Sequence, residues 1–379
     1  MPLRDAGIYL DNAATTRPDP AALAAMRAFE DEHHGNPSSQ HAAGVAAARE
    51  VERARQAVAD ALGAAPDEIV FTSGGTESNN LALKGAPLPR GGHVVVSAIE
   101  HPSVLRTADA LRRRGVKVTV VGVDPRGRVS PAAVAAALTP STALVSVMHA
   151  NNETGTLEPV AEIGRLCRAR GVLFHTDACQ SFTRAALDAG SGDFDLISVN
   201  AHKIHGPKGV GALFVRRGTK LTPLLDGGGH ERGLRSGTLN APGIVGFGAA
   251  VRLARDASPY ETQRLRDRLL VLLRRGIPGL RLNGPEDARL CGHLSVTLPR
   301  GDAKEAAQAL SARGVLVSTG SACSAGKNEP SHVLLALGLT PAQAGRTLRL
   351  TLSRMTTRAE VDAAAAALVE LAGSAHGRR

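Results

Sequence analysis

A chain of 379 residues with 43% hydrophobic content is long enough for two domains, or for one large α/β unit with an appendage, and carries ample apolar material for its cores. With no tryptophan and 2% aromatic residues, those cores must be built from Ala, Val and Leu. The net charge of +10 admits nucleic acid or an acidic protein as a partner. The arginines are scattered, however, and no run joins basic residues to aromatics, so direct nucleic-acid binding is not expected. The opening MPLRDAGIYLDNAATT lacks the apolar stretch of a secretion signal, and no uncharged run is long enough to span a bilayer. Cys167, Cys179, Cys291 and Cys323 form no CxxC pair and no metal-ligand spacing, which predicts free thiols in a reducing cytoplasm and no intrinsic metal site.

From about Ile69 to Val215 short β-branched runs alternate with Ala-rich amphipathic stretches. Strands are predicted at His93–Ser97, Lys117–Val121, Ala143–Met148, Val172–Thr176, Leu196–Val199 and Gly211–Val215. Helices are predicted between most of them, for example Ser103–Arg114 and Val160–Arg170, the second stopped by Gly171. This rhythm argues for a mostly parallel sheet covered by helices on both faces. After about Leu253 it changes. A charged helix at Tyr260–Arg275 is followed by a strand at His293–Leu298, a helix at Ala303–Arg313 and a short strand at Val315–Ser318. A strand at Thr347–Leu352 and an Ala-rich helix close a small α+β domain.

Four segments carry chemistry. In FTSGGTESNN a strand leads through Ser73-Gly74-Gly75-Thr76 into a helix, so backbone N–H groups at the helix start are open to an anion. In FHTDACQS, Asp177 ends a strand among apolar neighbours; it serves either as a helix N-cap or as a buried carboxylate that wants a cation. In NAHKIHGPKG, Lys203 follows a buried strand, and the carboxyl ends of such strands are where open α/β sheets bind ligands. A lysine held there can lose its proton and form a Schiff base with an aldehyde cofactor. In STGSACSAGKNEPS, the Ser, Gly and Ala residues around Cys323 favour a mobile loop, which suits a thiol that visits a substrate and carries its product elsewhere. Cys167 on its helix and Cys179 read as small core residues, and Cys291 has no supporting motif.

From YLDNAATT at Tyr9–Thr16 to LRLTLSR at Leu348–Arg354, the chain resembles the class V aminotransferases, and within them the cysteine desulfurases of the NifS/IscS kind. The resemblance implies an α/β fold of the pyridoxal-phosphate-dependent transferase fold type I. Its large domain, residues 15–255, would hold a mostly parallel sheet of the seven-stranded type. Residues 1–14 with 256–379 would form the small α+β domain that carries the catalytic cysteine loop. It further implies that Lys203 binds pyridoxal 5'-phosphate, that His101 stacks on its ring and moves protons, and that Asp177 pairs with the pyridinium nitrogen. Gln180 would bond the phenolic oxygen, while Gly75, Thr76, Asn200 and His202 would surround the phosphate. Thr238 would reach the phosphate of a neighbouring subunit in a homodimer.

By the same resemblance Arg349, with Asn152, would hold the carboxylate of L-cysteine, although Arg349 could equally face outward on an alternating strand. The implied reaction converts L-cysteine to L-alanine and leaves a persulfide on Cys323. An iron–sulfur scaffold or a tRNA-thiolation protein would then take the sulfur, and sharing of a transient iron–sulfur cluster by Cys323 is left open. A selenocysteine lyase or an aminotransferase on the same fold is the alternative; a transaminase needs no thiol on a loop.

Overall fold

The structure, a computed structural model, describes residues 7–319 and 329–374. The strands are β1 (Ile8–Tyr9), β2 (Ile69–Thr72), β3 (His93–Ser97), β4 (Lys117–Val121), β5 (Thr142–Ser146), β6 (Leu173–Asp177), β7 (Leu196–Asn200) and β8 (Gly211–Val215). They continue with β9 (Arg281–Leu282), β10 (His293–Thr297), β11 (Val315–Leu316), β12 (Ser318–Thr319) and β13 (Thr347–Thr351). Among the described residues the large sheet has seven strands, in the order β2-β8-β7-β6-β5-β3-β4.

Strands β4, β3, β5, β6 and β7 run parallel, and their residues are β-branched or apolar because helices cover both faces. One core packs helices Ala42–Leu62 and Ala241–Arg255 onto one face; another packs Gly75–Gly85 and Pro102–Arg113 onto the other. Strand β8 is reversed and pairs antiparallel with both β7 and β2. The connection from β7 to β8 is a turn with no crossover helix, so the chain can only return antiparallel.

The expected strand at Val172–Thr176 is displaced by one residue, which makes Asp177 the last residue of β6. Gly171, at φ 65°, lets the preceding helix turn directly into that strand.

In the C-terminal part, β12-β13-β10-β9 form an antiparallel sheet packed against helices Pro259–Gly276, Ala303–Ala312 and Arg358–Ser374. The single strand expected at Val315–Ser318 is divided. Val315 and Leu316 pair with β1, whereas Ser318 and Thr319 pair with β13, because the chain changes partner at Val317.

The segment after β1 ties the two sheets together. Leu10 lies in the C-terminal core, and Asn12 and Ala13 bond to Thr351. Thr16 then donates through its backbone and hydroxyl to the carbonyl of His202, at 2.9 and 2.8 Å. Its hydroxyl oxygen also accepts from the backbone N–H of His205. The turn that presents Lys203 is therefore strapped from outside by the N-terminal segment. No described helix is long and apolar enough to cross a membrane.

Candidate active site

At the carboxyl ends of β6 and β7 a cavity of about 300 Å³ opens. Its walls include Gly75, Thr76, His101, Asn152, Asp177, Gln180, Asn200, His202, Lys203 and Arg349, residues drawn from six segments of the sequence. Thr238 is exposed and does not line it. Cys323 lies outside the described residues.

One wall is the start of helix Gly75–Gly85. Its N-cap is Gly74, at φ 146° and ψ −179°, a backbone conformation that favours glycine, and no side chain caps the helix. Open backbone N–H groups at a helix start form an anion site. Gly75 is required by space: a Cβ there would stand 2.4 Å from the Cys179 sulfur. Cys179 is thus the floor beneath the cradle, and burial pushes its thiol well above the ordinary value, which keeps it a neutral packing group.

Asp177 is 5% exposed. Burial alone would raise its carboxyl, but the nearby His101, the Cys179 N–H at 2.9 Å and the Asn79 amide at 2.7 Å outweigh that and hold it below the usual range. Its hydrogen bonds come from the Cys179 N–H and the Asn79 amide. The result is an ionised, buried carboxylate held by neutral donors and open on its cavity side to a cation.

Asn79 is the residue that sequence reasoning missed. Its amide donates to Asp177 and, at 2.8 Å, to the Ser103 hydroxyl, which lies 2.8 Å from Nδ1 of His101. The backbone N–H of Ser103 also donates to that Nδ1, so His101 carries its proton on Nε2. His101 is the N-cap of helix Pro102–Arg113, which fixes the ring. Burial lowers its pKa, with Asp177 opposing and Lys203 assisting, so the ring is neutral near pH 7. The missed signal was spacing: Asn79 lies one helical turn beyond Gly75 and so shares its face.

On the turn after β7, His202 contacts the Thr15 hydroxyl at 3.1 Å, and burial followed by Lys203 and Lys208 pushes its pKa down to about 4. The carbonyl of Lys203 accepts from Arg184. Arg349 is 2% exposed, and so are Leu348 and Leu350 on either side, because β13 is covered on both faces. The outward alternative for Arg349 is thereby removed. Its Nη2 pairs with Asp11 at 2.8 Å, its Nη1 donates to the Asn152 carbonyl at 3.1 Å, and its Nε has no partner. The Asp11 pair was not legible in the sequence.

These residues fit pyridoxal phosphate on four counts. The uncapped helix start suits a phosphate, and the Asp177 carboxylate, bonded to neutral donors, lines the cavity. The buried oxygens Oε1 of Gln180 and Oδ1 of Asn200 have no partner among the described residues. Lys203 stands at a strand end facing the same cavity.

The class V aminotransferase family model matches residues 8–364. A cysteine desulfurase IscS of Anaeromyxobacter dehalogenans is 47% identical over 364 residues, spanning 94% of this chain and 90% of that protein. A solved NifS-like protein superposes with a TM-score of 0.91 at 37% identity, covering 97% of this chain and all of that one. A structure described as SspA in complex with cysteine gives 0.83 at 38% identity, covering 92% and 99%. With the family model and this relative spanning nearly the whole chain, the protein belongs to the class V aminotransferases.

Proposed function

We propose that the chain is a pyridoxal-phosphate-dependent cysteine desulfurase, which moves the sulfur of L-cysteine onto Cys323 and releases L-alanine. The observation that carries this reading is the convergence of Lys203, Asp177, His101 and Arg349 on one cavity in a chain whose relatives are cysteine desulfurases. Bound there, pyridoxal phosphate supplies an aldehyde for amine exchange and a protonated ring that stabilises negative charge at the substrate α-carbon.

Each protein group then has a role. The N–H groups of Gly75 and Thr76, with Asn200 and His202, hold the phosphate. Asp177 keeps the ring nitrogen protonated through an ion pair, and Asn79 fixes the carboxylate for it. Arg349 uses its unpartnered Nε for the substrate carboxylate while Nη2 stays on Asp11, and Asn152 borders the same point. Lys203 Nζ removes the α-proton and returns it during the later steps. His101 donates from Nε2, the atom on which its Ser103 bonds place the proton. The Cys323 thiolate attacks the substrate sulfur, so that cysteine and thiol become alanine and persulfide with no external oxidant.

The reading extends to a homodimer, in which Thr238 serves the partner subunit's site. It also extends to a cytoplasmic protein acceptor for the persulfide, either an iron–sulfur scaffold or a tRNA-thiolation protein. The test gives L-cysteine and a reductant to wild type and to Cys323→Ala, and measures alanine and sulfide. Wild type yields the two in equal amounts, while the variant keeps its yellow cofactor and yields neither. A variant as active as wild type overturns the role of Cys323. A Lys203→Ala variant that retains full activity overturns the assignment as a whole.

A further inference from the structure

A second cavity, of about 50 Å³, is lined by His205 on the Lys203 turn, by Arg184, Cys291 and Arg354, and by the start of helix Pro259–Gly276. A water needs roughly 10–15 Å³ of such space, so three or four water-sized groups fit. The charges there do not balance. Arg184 has no carboxylate partner among the described residues: its guanidinium donates to the Lys203 carbonyl, and the nearest group of favourable sign is the thiol of Cys291. Burial raises that thiol above its ordinary value, so Cys291 is no counterion at neutral pH. Arg354 spends Nη2 on Asp19 at 2.5 Å and leaves a buried Nε without a partner. Two guanidiniums therefore face one carboxylate.

Two further features point inward. Ser258 makes no side-chain cap to the 18-residue helix that begins here, and its hydroxyl is left to face the cavity beside Pro259 and Thr262. His205 is 3% exposed; its Nδ1 sits 2.8 Å from the Arg17 carbonyl and so carries the proton, leaving Nε2 a buried acceptor with no partner. The cavity thus presents two guanidiniums, the hydroxyls of Thr183, Ser258, Thr262 and Ser353, and the unpartnered acceptor of His205.

We infer that this cavity binds a small inorganic anion that retains one proton, such as hydrogen carbonate or hydrogen phosphate. Arg184 and Arg354 Nε take the negative oxygens, and His205 Nε2 accepts the remaining O–H. Because Arg184 also grips the Lys203 carbonyl, the anion neutralises the charge that anchors the lysine turn.

The test titrates the cofactor-loaded enzyme with hydrogen carbonate, phosphate and chloride at constant ionic strength and follows Tm. Hydrogen carbonate and phosphate raise Tm along saturating curves, and chloride, which has no proton to give, binds about tenfold more weakly. Arg184→Gln shifts the midpoint by about tenfold or more, whereas Arg349→Gln, in the main cavity, leaves it in place. Exchange broadening of ¹³C-labelled hydrogen carbonate by wild type gives the same answer without a variant. Absence of both the Tm rise and the broadening overturns the inference, as does a midpoint moved by Arg349→Gln and untouched by Arg184→Gln. Chloride binding as tightly as hydrogen carbonate overturns the role of the proton and of His205.

Discussion

Two buried carboxylates, Asp177 at the end of β6 and Glu231 on a turn packed against β2, have opposite surroundings. Glu231 receives two bonds from Arg55, at 2.8 and 2.7 Å, and a third from the Phe71 N–H at 2.6 Å. Its own backbone sits at φ 48° and that of Arg232 at φ 57°, a left-handed pair that the ion pair holds in place. Asp177, buried to the same degree, receives only neutral donors. A carboxylate with its cation built in is finished when the chain has folded. One without is finished only when a cation arrives from outside. The contrast separates an acid partnered within the fold from one that faces a cavity, although both are out of water.

The largest effect is expected from breaking the finished pair. Arg55→Ala leaves Glu231 with the Phe71 N–H but without its cation, and should lower stability in urea by about 3–5 kcal/mol. Asp177→Asn should reverse the pattern: turnover falls by about 100-fold or more, while the urea midpoint of the cofactor-free protein drops far less than in Arg55→Ala. An Asp177→Asn midpoint as low as that of Arg55→Ala would erase the distinction.

A smaller effect sharpens the cavity side. Gly75→Ala drives a methyl into the Cys179 sulfur and should cost about 1–3 kcal/mol. Adding Cys179→Ala should recover most of that loss, and a cycle with no coupling would mean that the floor is not Cys179.

The smallest concerns Glu158, a third buried acid, which accepts from the Val129 N–H at 2.7 Å and has its other oxygen unpartnered. Burial, opposed by that N–H, pushes its pKa up to about 8. The folded state therefore holds its proton more tightly than the unfolded chain, and the associated stability fades as pH rises through about 8. Thermal unfolding from pH 6.5 to 9 should show Tm falling in wild type. Glu158→Gln should remove part of that slope, with Glu100 and Glu153, raised by burial to about 8 and about 7, supplying the rest.

How legible each part was follows from the range of the interaction that makes it. The carboxyl ends of β6 and β7 could be read because short buried strands and their flanking glycines are local signals, and Asp177 and Lys203 come with them. Gly75 and Thr76 were visible for the same reason. Asn79 was not, because a polar residue inside a helix reads as solvent-facing until the sheet is seen beneath it. The Asp11–Arg349 pair spans 338 positions, and nothing near either residue announces the other. The reversal of β8 depends on a turn whose length was in the sequence but whose direction was set by the neighbours it had to join. The two-residue strands β1, β9, β11 and β12 are too short to carry a pattern.

The strap formed by residues 10–19 has a consequence for the order in which a ribosome-born chain becomes an enzyme. It emerges early, yet its partners at Leu316 and Thr351 emerge late. The seven-stranded core can collapse with more than a hundred residues still to be made, but the Asp11–Arg349 contact cannot exist until β13 has left the exit tunnel. An incomplete chain has its lysine and its aspartate and still lacks the Asp11–Arg349 wall of the cavity. Translation itself thus delays activity until the last strand is in place.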